Sequence, residues 1–131
     1  MIYVDSCIPM YLVGKTHVNK KRVIELISSL IQSRERFVTS SKAFQEIIHR
    51  YKAISDFKYL QIAYSALEDL VDQIESVNKV DVDLARNYAL QYQKLSSRDC
   101  LHLALMQRLS CDKIWTYDQA FDEIPKITRI L

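Results

Sequence analysis

Glycine is nearly absent from this 131-residue chain: there is one, Gly14, beside two prolines. That scarcity excludes the Gly-rich loops on which P-loop and dinucleotide-binding sites depend. It also leaves no material for a long flexible linker, and the length suits one domain, 1–131. Cysteine is scarce and unpatterned. Cys7, Cys100 and Cys111 are an odd set without a CxxC pair, which argues against a disulfide framework and a zinc knuckle. Each lies among apolar residues, as expected of free thiols in a reducing cytoplasm. No apolar run approaches the ~20 residues of a membrane span. No basic stretch precedes an apolar segment at the start, so a signal peptide is not expected and a cytoplasmic location is. An excess of one charge is missing as well. The formal net charge is +2, and no like-charge run exceeds Lys20-Lys21-Arg22, so bulk charge does not point to nucleic acid.

What remains is a chain rich enough in apolar residues, 49%, to pack a core without staples. Short β-branched runs alternate with helical stripes. Ile2–Val4, Arg36–Thr39, Ser76–Val80, Lys113–Thr116 and Lys126–Ile130 read as strands. Between them, helical spacing predicts Ile8–Val13, Lys21–Gln32, a helix capped by Ser40 or Ser41 with Phe44, Ile47, Ile48 and Tyr51 on one face, and Lys58–Glu75. A helix opening at Asp81 or Asp83 and running to about Gln93 follows, then Ser96 to about Leu109, then a turn over Asp118–Ile124. The alternation predicts a three-layer α/β/α sandwich with a mostly parallel sheet of four to five strands. Ligands in such folds bind beyond the carboxyl ends of the strands. Several strand pairs are separated by two helices, so one helix of each pair must lie across the sheet or form a hairpin arm.

Four acids stand where such a site would form, and each has an ordinary structural reading. Asp5 follows the first strand and could cap the next helix. Glu46 in "FQEIIHR" could pair with Arg50 one turn on. Asp99 in "SSRDCLHLAL" completes a Ser96-x-x-Asp99 capping box. Asp118 in "TYDQAF" could cap the turn that follows it. Together they carry more. Strand ends and the starts of succeeding helices share one edge of a parallel sheet, and Glu46 lies only ~9 Å beyond a helix start. Carboxylates converging there repel unless a cation joins them, and an all-oxygen set suits Mg²⁺ or Mn²⁺.

The ordered set "VDS", "FQEIIHR", "SSRDCLHLAL" and "TYDQAF" resembles that of PIN-domain nucleases, most nearly the VapC-like ribonuclease toxins of toxin–antitoxin pairs. The resemblance spans nearly the whole chain. It implies a PIN-like fold, a metal-dependent endoribonuclease acting on RNA, a homodimer, and a small antitoxin whose tail fills a helix-lined groove. It also implies that Asp5, Glu46, Asp99 and Asp118 are catalytic and hold the metal. Many members have Asn two residues after the first Asp, where this chain has Cys7.

Lesser candidates surround these four. Ser6 could bond a metal-bound water or cap the first helix. Thr116 could orient a carboxylate or be a plain strand residue. His102, one turn past Asp99, could support the acids or be a hydrogen-bonded core histidine. Asp122 and Glu123 are spare carboxylates or solvated charge. Lys15, Lys20, Lys21, Arg22, Arg50 and Lys52 could rim a phosphate path, and Tyr11, Tyr51, Tyr59 and Tyr64 could stack bases or simply pack. Two other classes compete: a catalytically silent domain that binds RNA or protein, and a haloacid-dehalogenase-type phosphatase. The latter needs a second Asp two residues after the first, where Cys7 stands.

Overall fold

The computed structural model describes residues 1–15 and 17–130. Five strands, β1 (Ile2–Val4), β2 (Phe37–Ser40), β3 (Gln73–Glu75), β4 (Lys113–Trp115) and β5 (Thr128–Ile130), form one sheet in the order β3-β2-β1-β4-β5. Every neighbouring pair is parallel. Six helices complete it: α1 (Cys7–Val13), α2 (Val18–Gln32), α3 (Ser41–Ala53), α4 (Phe57–Leu70), α5 (Lys79–Gln91) and α6 (Ser97–Arg108).

Side chains on a strand alternate between faces, and the core divides accordingly. Ile2, Val4, Phe37 and Trp115 pack with Ile8, Val23, Ile47 and Leu67 from α1–α4. Tyr3, Val38 and Ile114 pack with Ala85, Leu103 and Leu105 from α5 and α6. These are the outer layers of the expected sandwich. Central β1 is wholly buried, which is why "IYV" reads as continuously apolar rather than alternating.

The two-helix crossovers resolve as helical hairpins. The chain crosses from β1 to β2 through α1–α2 and from β2 to β3 through α3–α4, and every strand remains parallel. It then returns over the other face through α5–α6 to β4, beside β1. The strand order reverses between β1 and β4, and that switch point is where open α/β sheets hold ligands.

One strand lies elsewhere than its pattern predicts. β3 is Gln73–Glu75, not Ser76–Val80, and α4 stops at Leu70 rather than running to Glu75. Asp72 causes the break: its N–H donates to the Phe37 carbonyl and its carboxylate accepts from the Phe37 N–H, both at 2.9 Å, clipping the segment to the sheet edge. "SVNKV" serves the next helix instead. Asn78 and Asp81 form a reciprocal capping box, so α5 starts at Lys79. Other limits move by a few residues. Val18 opens α2, whose cap is His17. Ile48 is 43% exposed and leaves the buried face assigned to it.

Candidate active site

Asp5 directly follows β1 and Thr116 directly follows β4, so two neighbouring strands deliver polar residues to the same edge. Asp5 is not a helix cap. Ser6 occupies the cap position of α1 and makes no side-chain cap bond. Asp5 Oδ1 instead accepts from the Ser6 N–H at 2.7 Å, and Oδ2 accepts from Thr116 Oγ1 at 2.6 Å. The Cys7 thiol points to Asp5 Oδ2 at 3.6 Å, the long reach of a weak S–H donor. Burial, and then the Asp5 charge, push that thiol's pKa up. Thr116 Oγ1 also accepts from the Asp118 N–H at 3.1 Å. One hydroxyl therefore ties the Asp5 carboxylate to the backbone that carries Asp118.

Glu46, on α3, forms no ion pair with Arg50 among the described residues. It accepts from Ser6 Oγ at 2.7 Å, and His102 Nε2 lies 2.9 and 3.1 Å from its two oxygens. His102 is fully buried, and its Nδ1 lies 2.7 Å from the Tyr3 hydroxyl, itself 2.7 Å from Ser40 Oγ. Burial disfavours charge on both partners. The mutual bond and attraction outweigh it, so the Glu46 carboxyl falls below its ordinary pKa and His102 rises above its own. His102 is thus both the buried hydrogen-bonded histidine and the support of an acid.

Asp99 opens α6. Ser96 caps this helix by accepting from the Asp99 N–H at 3.2 Å, but the reciprocal half of the box is absent. The Asp99 carboxylate is free for other work. It is buried, its Oδ2 has no hydrogen-bond partner, and it lies beside Asp118. Burial, then Asp118 and the Asp5 charge, raise its pKa to about 7, while Asp118 is held below its ordinary value by that shared contact. Asp118 does cap the following 3₁₀ turn, accepting from the Ala120 N–H at 2.9 Å.

All four acids line one cleft of about 380 Å³. Met10, Tyr11 and Tyr117 form part of its wall; His49, Arg50 and Arg98 form another part. Of the suggested basic rim, Arg50 alone lines this cleft. Lys20 donates to the Gly14 carbonyl and Arg22 lies beside Glu25. Asp122 pairs with Arg129 and Glu123 with Lys94, so neither serves as a spare ligand. Three contributors are not singled out by the sequence. Arg98 has one signal, its place beside Asp99 in the first turn of α6, and Tyr117 has another, its place between Thr116 and Asp118. Tyr3 has only strand alternation to mark it, which sets it on the opposite face from Ile2 and Val4.

Asp5, Glu46 and His102 each offer a ligand atom, all within 4.8 Å of one another. His102 Nε2 already faces Glu46, so a cation among these three would have to displace that bond. The orphaned Asp99 oxygen is the member with unmet demand for positive charge.

Sequence and structure comparisons agree on the lineage of this arrangement. The PIN domain family matches residues 2–127. Ribonuclease VapC13 of Mycobacterium tuberculosis is 42% identical over 130 residues, 99% of each chain. Among solved structures, Mycobacterium tuberculosis VapC20, described as a sarcin–ricin loop cleaving toxin, superposes with a TM-score of 0.75 at 16% identity over 93% of each chain. A toxin–antitoxin complex from Klebsiella pneumoniae superposes with a TM-score of 0.68 at 15% identity, over 98% of this chain and 96% of that one. With its carboxylates gathered at the switch point of a parallel sheet and a VapC ribonuclease matching it from end to end, the chain belongs to the PIN-domain family, among the VapC ribonucleases.

Proposed function

We propose that this protein is an endoribonuclease that hydrolyses RNA phosphodiester bonds with the help of Mg²⁺ or Mn²⁺, and that it is the toxin of a toxin–antitoxin pair. The observation that carries the reading is the Asp99 carboxylate, buried with an orphaned oxygen against Asp118 and Asp5. A buried carboxylate without a partner costs several kcal/mol as an anion and resists ionising. A divalent cation among Asp5, Asp99 and Asp118 removes that cost. The all-oxygen donors favour a hard metal over Zn²⁺.

When bound, such an ion lowers the pKa of a water and stabilises charge on the phosphoryl oxygens. The chain's own groups set the rest. Thr116 holds Asp5 and Asp118 in register. Ser6 and His102 hold the Glu46 carboxylate ionised, where it orients the attacking water. Arg50 and Arg98 meet the phosphates on either side of the scissile bond. The VapC name of the relatives and the toxin–antitoxin complex among the structural neighbours support RNA as the substrate and a small antitoxin as the partner. A homodimer belongs to the same reading.

Purified protein incubated with single-stranded RNA tests it. Cleavage with Mn²⁺ and none with EDTA is expected. Metal-independent cleavage, or none under any condition, overturns it. Equal cleavage by Asp5→Asn removes these acids from the chemistry.

A further inference from the structure

Beside the acids stands an aromatic wall with no part in the chemistry described so far. Tyr117 lies between Thr116 and Asp118 and lines the cleft. Its ring meets that of Tyr11 edge-on, with centroids 5.1 Å apart at 68°, and its hydroxyl donates to the Asn19 carbonyl at 3.2 Å. Tyr11 in turn stacks on His17 at 5.5 Å and 29°. Both tyrosines are half-buried and therefore present only part of their surface to the cleft. Met10, on α1 and lining the same cleft, adds an adaptable apolar contact. A second cavity of about 330 Å³ shares Cys7, Met10, Tyr11 and Arg50 with the first. Tyr11 and Arg50 thus stand at the junction of two adjoining spaces.

We propose that the Tyr11–Tyr117 wall is a nucleotide subsite, on which one unpaired RNA base stacks while its neighbouring phosphates run past Arg50 and over the acids. This rests on the ribonuclease reading and deepens it. The base is the uncharged part of a nucleotide, so it is the part that can leave water for half-buried rings without burying a charge. Aromatic rings fit it because every base offers a π-face, which makes such stacking tolerant of sequence. In a duplex those faces are already stacked on each other. The wall therefore selects RNA that is single-stranded at the scissile position, and recognises it by an exposed base rather than by a hydrogen-bond code.

The test walks one abasic residue along a short labelled single-stranded RNA and measures binding by fluorescence anisotropy. Ca²⁺ replaces Mg²⁺ to hold the acids neutralised while suppressing cleavage. In wild type, one position should lose about tenfold in affinity when its base is removed. That loss should disappear in Tyr11→Leu and Tyr117→Leu, and persist in Tyr117→Phe, which keeps the ring. Identical abasic losses in wild type and the Leu variants overturn the subsite, as does a wild type indifferent to every abasic position, whose wall then serves another occupant such as a partner peptide. Should the Leu variants fail to fold, 2-aminopurine moved along the same RNA in wild type decides: quenching confined to the abasic-sensitive position supports the subsite, and uniform fluorescence overturns it. A wild type that binds no RNA sinks the ribonuclease reading itself, and the subsite with it.

Discussion

Asp5 and Glu46 have all four carboxylate oxygens engaged by Ser6, Thr116 and His102, whereas Asp99 and Asp118 face each other with an Asp99 oxygen that nothing bonds. Both pairs belong to the same cleft, and both residues of the first pair are buried, as Asp99 is. Burial alone therefore does not decide the state of a carboxylate here; its partners do. Glu46 has a buried imidazole and is pulled below its ordinary pKa, while Asp99 has another acid and is pushed above its own. One side of the site is complete in the folded chain. The other leaves an Asp99 oxygen without a partner.

The largest expected effect comes from removing charge at the boundary between the two sides. Asp5→Asn keeps the side chain's shape and should lower RNA cleavage by on the order of 10²–10³-fold, as loss of a preorganised electrostatic partner does. Because an amide can still hydrogen-bond Ser6 and Thr116, the melting temperature should hardly change. A single-turnover cleavage assay beside a thermal melt checks both halves of that statement, and undiminished cleavage would put Asp5 outside the chemistry.

Breaking the completed side should act on stability instead. His102→Ala strands the Glu46 carboxylate without its buried counterpart, a change that costs about 3–5 kcal/mol. Chemical denaturation should register that loss with or without metal. If His102→Ala is as stable as wild type, the Glu46–His102 contact is not holding that side together.

The open side should respond in the opposite sense. The Asp99 pKa is raised on folding, so its contribution to stability is fully present below the unfolded value near 4 and is lost as pH rises through about 7. Every tenfold gain in proton affinity on folding corresponds to about 1.4 kcal/mol. Metal-free Asp99→Asn should therefore melt higher than wild type at pH 8 and no higher at pH 4. A uniform offset across that range would show that titration of Asp99 does not govern the difference.

The smallest effect sharpens the contrast from outside the site. Asp81, buried at the start of α5, accepts from Arg108 Nε at 2.8 Å and Nη2 at 3.1 Å. Burial opposes its ionisation, but Arg108 and the Asn78 N–H prevail and its pKa is lowered. Its stabilisation is present above the unfolded pKa and is lost as pH falls through the lowered value. Asp81→Asn should cost about 1 kcal/mol at neutral pH, with no effect on cleavage. A cleavage defect in this variant would show that the far ends of α5 and α6 are coupled to the site.

How far the sequence anticipates this arrangement depends on the range of the interaction involved. Strand ends are local, so "YVDS" and "WTYD" place Asp5 and Asp118 at the sheet edge without tertiary information. The first turn of α6 is local too, and Ser96 marks it. Glu46 is less legible, because its partners are 40 and 56 residues away and the nearby Arg50 offers a plausible but unused pair. The β3 region misleads for the same reason: "SVNKV" has β-branched residues, but Asp72 binds a strand 35 residues earlier and Asn78 caps the next helix. The buried chain from Ser40 through Tyr3 to His102 links three elements, and no stretch of sequence announces it.

The central claim is that the Asp99 side awaits a divalent cation. Melting temperatures of wild type and Asp99→Asn at pH 8, each with EDTA and with excess Mg²⁺ or Mn²⁺, test it most directly. A ligand at a hundred times its dissociation constant adds about 2.7 kcal/mol to the state that binds it. Wild type should rise by several degrees with metal, and Asp99→Asn, already relieved of the repulsion, should not. Equal metal-induced shifts in the two proteins would contradict the claim.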